Sequence, residues 1–481
     1  MKGFSFAKIV CTVGPASASE RVQRAMIKEG MNAARLNFSH GSHQVHKEMF
    51  HSVKTTADKL DRPVCLLQDL QGIKIRITEV DKGAIKLKRG QRIRIRQGEG
   101  ISTEREIFIS YPALLRDVKA GQRILIDDGL IVLRVVKKGR DFIETVVKEG
   151  GLLRSKKGVN LPESKISMKP FTDKDRDDLE FGLSLGVDYV AVSFVMRAKE
   201  IEQIRKWIKA RGYDVSLIAK IERPEALNDI DRIIAVSDGI MVARGDLGVE
   251  MPTEEVPVIQ KELVRKANEA GKVVIIATQM LESMREHTRP TRAEATDVAN
   301  AVLDGADALM LSAETSTGLY PAQAVKMMKR IIRVTEKSLI GAGLTSHLQI
   351  QKVRPESKIS YAVADAAMRA AEDLRAKCIV AFTRSGYTAL LASKCKPCVP
   401  VVAFTPDERV LRKMSLYWGV RPFLLDSLEN TDQMIKAVDR ALAENGIAKR
   451  GDIVVILSGT PILGKKGKTD LMKIHRLGED L

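Results

Sequence analysis

Short apolar runs alternate with longer amphipathic stretches along most of the chain, and that rhythm predicts its elements. Runs over residues 8–13 (KIVCTV), 32–38 (NAARLNF), 64–67, 188–194 (DYVAVSF), 216–219, 239–243, 272–277 (KVVIIA) and 308–311 have the length of buried strands. Helix-sized segments lie between them, among them 171–185 with Thr172 as N-cap, 292–303 and 320–337. Nearly every run ends in a polar residue: Arg35, Asp69, Ser193, Lys220, Asp246, Thr278, Glu314. Eight such strands predict an α/β chain built on a (β/α)8 TIM barrel, in which the C-terminal strand ends converge on the active site.

The rhythm breaks twice. From 71 to 167 it becomes a period-two alternation, as in IKLKRGQRIRIRQ, with frequent glycines. That predicts an inserted β-rich domain, a small β-barrel lid following the third barrel strand. From 344 onward helices and strands alternate again and predict a separate C-terminal α/β domain. The expected organisation is therefore barrel 1–70 and 168–343, lid 71–167, and C-terminal regulatory domain 344–481.

The densest chemistry lies in 216–250. One apolar run there leads into Lys220 and Glu222, the next into Arg244, Gly245 and Asp246. Burying a lysine and two carboxylates at strand ends is costly unless those charges are used. Two carboxylates from neighbouring strand ends suit Mg²⁺, and a lysine suits a phosphate or a developing oxyanion. From these residues alone a surface ion pair is the competing reading. Arg35 follows Ala33 and Ala34, where a bulky charge is hard to bury without a ligand. His40, His43, His46 and His51 read as the solvated face of a polar helix, with His40 near the site. The basic loop Lys156-Lys157-Gly158 suits phosphate contact.

Composition narrows the picture. Of 481 residues 44% are hydrophobic but only 4% aromatic, as expected for aliphatic parallel strands. The net charge of +18 is spread along the chain without aromatic interleaving, which argues against nucleic-acid binding and for steering of anionic phosphates. Five cysteines, an odd and sparse count, exclude a disulfide framework, and the Cys395/Cys398 pair has no second CxxC to complete a zinc site. No apolar run approaches the roughly 20 residues of a membrane span, and the N-terminal stretch reads as a strand rather than a secretory leader. A cytoplasmic protein is the expectation. In the C-terminal domain, Ser458-Gly459-Thr460 runs into Gly464-Lys465-Lys466-Gly467-Lys468-Thr469, which fails as a P-loop because Lys466 stands where Ser or Thr is needed. Together with Thr383, Arg384, Ser385, Gly386 and Thr388 this loop reads as an anion pocket for an effector phosphate.

The motifs KIVCTVGPAS, GMNAARLNFSHG, SKKGVNLP, IAKIERPEAL, ARGDLGVE, ATQMLESM, RPTRAEATDVANAVLDGADALMLSAET and GLYPAQAV resemble those of the pyruvate kinase family, in the family's order. The resemblance implies phosphoryl transfer from phosphoenolpyruvate to ADP, giving pyruvate and ATP. It implies Mg²⁺, or Mn²⁺ in its place, on Glu222 and Asp246. The amides of Gly245 and Asp246 would bind the substrate carboxylate, Arg35 the phosphoryl group. Lys220 would stabilise the transferring group, and Thr278 would help protonate the enolate carbon. Arg76, Lys157, Asn37 and His40 would face the nucleotide. It further implies a homotetramer regulated by a sugar phosphate or a nucleotide.

This chain departs from the family at the monovalent-cation set. Asn37, Ser39 and Asp69 remain, but Leu70 replaces a threonine, and Lys74 stands where potassium-dependent members carry glutamate. The Lys74 ammonium can supply the missing charge, so K⁺ is expected not to be required. Ile73 for proline and Ala313 for glycine are lesser departures. Two rivals are another barrel enzyme acting on phosphoenolpyruvate or an enolate, and a catalytically inactive regulator or RNA-binding protein. The intact Lys220, Glu222 and Asp246 set speaks against the second.

Overall fold

A computed structural model describes residues 4–168, 171–341, 358–425, 431–459 and 468–479. The 343/344 boundary, Thr460 and the whole Gly464-Lys465-Lys466-Gly467 stretch of the second C-terminal loop therefore lie outside the described residues.

All eight expected barrel strands form. They are β1 (Lys8–Thr12), β2 (Met31–Asn37), β3 (Cys65–Asp69), β4 (Tyr189–Val192), β5 (Ser216–Ile221), β6 (Gly239–Ala243), β7 (Val273–Ala277) and β8 (Ala308–Leu311). They pair in parallel and in chain order, with β8 closing onto β1. Because both faces of each strand are buried, the sequence shows continuous apolar runs rather than alternation. Alternate residues divide the work: Val10, Ala33, Leu67, Ile218 and Met241 share one cluster, while Ile9, Ala34, Leu66, Leu217 and Ile240 pack with the surrounding helices. Local signals set the helices, as at Asp173–Leu185, where Thr172 and Asp175 form a capping box and Gly186 ends the helix at φ +84°.

The insert leaves the barrel after β3. Its strands form a six-stranded sheet and a two-stranded sheet over one aliphatic core. Pairing is antiparallel except where Arg92–Gln97 lies parallel to Glu106–Ile109. The C-terminal domain carries β9 (Ile379–Phe382), β10 (Val401–Thr405), β11 (Val420–Leu424), β12 (Ile453–Ser458) and β13 (Leu471–Arg476) in the order β11-β10-β9-β12-β13. Only β13 runs antiparallel to its neighbour.

Three aspartates organise the barrel floor, opposite the active end. Asp188, Asp238 and Asp307 accept the backbone N–H groups of Leu66, Leu217 and Val274 at 2.8, 2.7 and 2.8 Å. Two of them also hold the C-terminal domain. Arg412 lies 3.1 Å from Asp188, and Lys394 and Lys396 both bind Asp307, Lys396 at 2.8 Å.

Candidate active site

The C-terminal ends of β2, β3, β5, β6 and β7 bring the predicted polar residues together. Lys220, near the end of β5, is 8% exposed. Its ammonium lies 2.8 Å from Glu222, 3.1 Å from Asp69 and 2.7 Å from the Ser193 hydroxyl. Burial alone would lower its pKa, but the Asp69 and Glu222 carboxylates more than offset this and hold it above the ordinary lysine value. Asp69 is likewise buried, yet Lys220 and Arg35 keep its pKa below normal. This is a charged cluster rather than a surface ion pair.

Arg35 does not depend on a ligand for burial, contrary to expectation. Its Nε donates to Asp69 at 2.6 Å and its terminal nitrogen to the Thr12 hydroxyl at 2.9 Å. Of the four histidines, His40, His43 and His51 are exposed as expected, and His46 departs from the solvated-face reading. His46 is buried, its ring stacked on Phe38 at 3.9 Å and its Nε2 2.8 Å from the His40 carbonyl. His43 stacks on Phe181 and pairs with Asp178 at 2.7 Å. Both stacking partners lie outside the histidine helix, Phe38 just after β2 and Phe181 on the helix Asp173–Leu185, so the local pattern could not show them. Burial, then the charges of Lys74, Arg76 and Arg35, lower the His40 pKa, so it lies beside the site's cations.

At the end of β6 the chain turns straight into the helix Arg244–Glu250, whose first-turn amides, Gly245 and Asp246 among them, have no acceptor within the helix. The Gly245 amide donates to the Thr278 hydroxyl at 2.7 Å. A Cβ on Gly245 would come within 3.2 Å of that hydroxyl, so the close approach calls for glycine. Thr278 itself is held at φ +68°, and Phe194, after β4, at φ +55°. With Gln279 at φ +54°, three left-handed non-glycine residues at barrel strand ends mark a place where the surroundings over-determine the backbone. Arg244 turns away from the cluster to Asp297 at 2.6 Å and the Thr278 carbonyl at 2.9 Å.

The donor set fits a hard divalent cation. Glu222 accepts from the Phe194 amide at 2.7 Å and from Lys220, leaving carboxylate lone pairs free. The Asp246 carboxylate makes no hydrogen bond or ion pair within the chain, among the described residues. Burial raises the pKa of both groups; Lys220 opposes this, while neighbouring acids add to it, Asp246 for Glu222 and Asp128 for Asp246. Two neighbouring carboxylates of this kind suit Mg²⁺, for which Glu222 and Asp246 would be the protein ligands. No cluster of three or more His, Cys, Asp or Glu side chains able to hold a metal occurs among the described residues.

Between barrel and lid lies a cleft of about 230 Å³ lined by Lys74, Arg76, Asp127, Asp128, Lys157 and Asp246, among others. Lys157 pairs with Asp127 at 2.7 Å, and Arg76 donates to the Lys156 carbonyl at 2.8 Å. Lys74 is exposed at the mouth, where the charges of Arg76, Asp246, Lys220 and Glu222 act on it. Leu70 is 2% exposed and packs in the hydrophobic core. Asn37 accepts from the Ser39 amide at 3.2 Å. Asp127 and Asp128 escaped the sequence reading, although the Asp-Asp-Gly turn signal was present; both adopt positive φ. Ser193 was recognised only as a polar strand end.

In the C-terminal domain the Thr383 hydroxyl accepts from the Gly386 amide at 3.0 Å, and the Thr388 and Thr469 hydroxyls meet at 2.8 Å. The described ends of the two predicted anion loops are thus adjacent. Ser385 lines a separate cavity of about 750 Å³ between this domain and the barrel floor.

Comparison with known proteins places this geometry among relatives. The family model for the pyruvate kinase barrel domain matches residues 5–325, and that for the pyruvate kinase alpha/beta domain matches 361–475. The chain is 44% identical over 475 residues to the pyruvate kinase of Geobacillus stearothermophilus, covering 98% of this chain and 80% of that one. It is also 44% identical to that of Mycobacterium tuberculosis H37Rv, over 98% of both chains. A crystal structure of a pyruvate kinase from Cryptosporidium parvum superposes with a TM-score of 0.90 at 35% identity, covering 98% of this chain and 96% of that one.

Proposed function

The chain belongs to the pyruvate kinase family, and on that premise we propose how its own residues carry phosphoryl transfer between phosphoenolpyruvate and ADP. Glu222 and Asp246 would hold Mg²⁺, which would supply positive charge to offset that of the substrate. Lys220 faces the transferring phosphoryl group and the enolate oxygen it leaves, and Arg35 approaches the same group from β2. Positioned cations of this kind account for most of the catalysis in phosphoryl transfer. The first-turn amides of Gly245 and Asp246 receive the substrate carboxylate. Thr278 sits by the enolate carbon and helps to deliver its proton. From the lid side Arg76 and Lys157 meet the nucleotide phosphates, with Asn37 and His40 nearby. The observation that carries this reading is Lys220 locked between Asp69 and Glu222, beside an Asp246 carboxylate without a hydrogen-bond or ion-pair partner among the described residues.

The reaction proceeds without potassium. Leu70 presents a buried apolar side chain where a ligand would be required, and Asp69 is already engaged by Arg35 and Lys220. Lys74 brings a fixed charge to the same cleft. Regulation by a sugar phosphate or nucleotide at Thr383, Arg384, Ser385, Gly386 and Thr388, a homotetrameric assembly and a cytoplasmic location complete the proposal. No helix among the described residues is long and apolar enough to cross a membrane.

The test is formation of pyruvate and ATP from phosphoenolpyruvate and ADP with Mg²⁺, and its loss on chelation. Folded protein that turns over neither substrate would overturn the assignment of these residues.

A further inference from the structure

Glu250 ends the helix that begins with Arg244, Gly245 and Asp246, and a carboxylate is poorly placed there. The residue is 7% exposed and sits at the negative end of the helix dipole. Its Oε2 has no hydrogen-bond partner among the described residues. An unmatched buried carboxylate is destabilising unless its contacts do something an apolar residue could not.

Those contacts come from two separate parts of the molecule. Asn160, on the lid, donates its side-chain amide to Glu250 Oε1 at 2.8 Å. A terminal nitrogen of Arg223 lies 3.7 Å from the same oxygen. Arg223 directly follows Glu222, is 6% exposed, and is clamped by Glu225 at 2.8 and 3.1 Å. Glu250 therefore touches the segment bearing Glu222, belongs to the helix bearing Asp246, and receives the lid. The lid abuts this helix a second time: a Cβ on Gly129 would lie 3.9 Å from Val249, and the charge of Asp128 in the same turn acts on Asp246.

We propose that Glu250 is a positioning residue through which seating of the lid, by way of Asn160, fixes the spacing of the Glu222 and Asp246 carboxylates and so sets the affinity for the divalent cation. The inference rests on the assignment of those two carboxylates to the metal. A lid that opens withdraws one of Glu250's two partners, and the Arg223–Glu250 contact, at 3.7 Å, is loose enough to shift.

Mn²⁺ is the probe, measured by loss of the free-ion paramagnetic resonance signal in the presence of phosphoenolpyruvate and absence of nucleotide. Asn160→Ala and Glu250→Gln are each expected to weaken Mn²⁺ binding about tenfold, the scale seen for groups that orient metal ligands. The double variant is expected to match the weaker single within about twofold, because both act through one contact. Unchanged Mn²⁺ binding in Asn160→Ala overturns the proposal even if Glu250→Gln fails to fold, and so do losses that multiply in the double variant. Wild-type protein that binds no Mn²⁺ would overturn the metal assignment and this inference with it. Wild-type binding with unaffected variants overturns the lid connection alone.

Discussion

At Lys220 one ammonium group faces the carboxylates of Asp69 and Glu222 and the hydroxyl of Ser193, all within 3.1 Å. Replacing it with methionine keeps the packing volume but removes the charge proposed to face the phosphoryl group. Lys220→Met is expected to lower kcat by about 10²–10³, the scale for losing one preorganised electrostatic contact, with KM for ADP little changed. As the proposed metal ligands, the Glu222 and Asp246 carboxylates would set the acid limb of activity. Burial raises the pKa of Glu222 and Asp246, and metal binding needs both ionised, so activity should fall at a pH above that of an ordinary carboxylate. Raising the Mg²⁺ concentration should move that limb to lower pH; an invariant limb would mean that other groups cause it. Much of this site was legible at the residue scale, because Lys220, Glu222 and Asp246 are charges that interrupt apolar runs. The protein partners of Arg35 were not, since Asp69 and Thr12 come from different strands and no local spacing joins them.

The elements that carry these residues work through their ends. β6 passes directly into the helix Arg244–Glu250, and β7 ends on Thr278 at φ +68°, which puts the Thr278 hydroxyl against the Gly245 amide. Gly245→Ala would place a methyl group 3.2 Å from that hydroxyl and push the two elements apart. The expected result is a loss in kcat/KM for phosphoenolpyruvate of about a hundredfold, as for an ångström-scale misplacement, with thermal stability changed little. An unaffected kcat/KM would show that the amide does not contact substrate. Strand number, order and closure were all readable from the spacing of apolar runs. The left-handed turns at Phe194 and Thr278 were not, because neither residue type announces positive φ. The lid's alternating pattern identified its strands but not the parallel pairing of Arg92–Gln97 with Glu106–Ile109, which is set by tertiary packing.

Across the whole molecule, charge also links the domains. Asp307 on the barrel floor is fully buried between Lys394 and Lys396 of the C-terminal domain. Asp307→Asn leaves two buried lysines without their shared counter-ion and should cost about 3 kcal/mol in stability, read from denaturant unfolding. Close by, Glu336 accepts from the amides of Phe6 and Ala7, and burial pushes its pKa up to about 7 while those amides and Lys8 oppose the shift. The native state therefore binds this proton more tightly than the unfolded chain, whose glutamate titrates near 4.5. Its contribution is fully present below that value and is lost as pH rises to about 7. Wild-type Tm should decline more over that window than the Tm of Glu336→Gln, and equal slopes would contradict the assignment. None of these buried contacts was visible in the sequence, where Lys394 and Lys396 appear only as charges around an isolated CxxC. The Lys74 and Leu70 departures, by contrast, were legible in the sequence, and the structure adds that Leu70 is buried and that Lys74 lines the cleft. Turnover of phosphoenolpyruvate and ADP with Mg²⁺, compared between potassium-containing buffer and buffer in which tetramethylammonium replaces every alkali cation, tests that arrangement most directly. Equal rates in the two buffers are the predicted result; turnover confined to the potassium buffer would contradict a site that supplies its own charge.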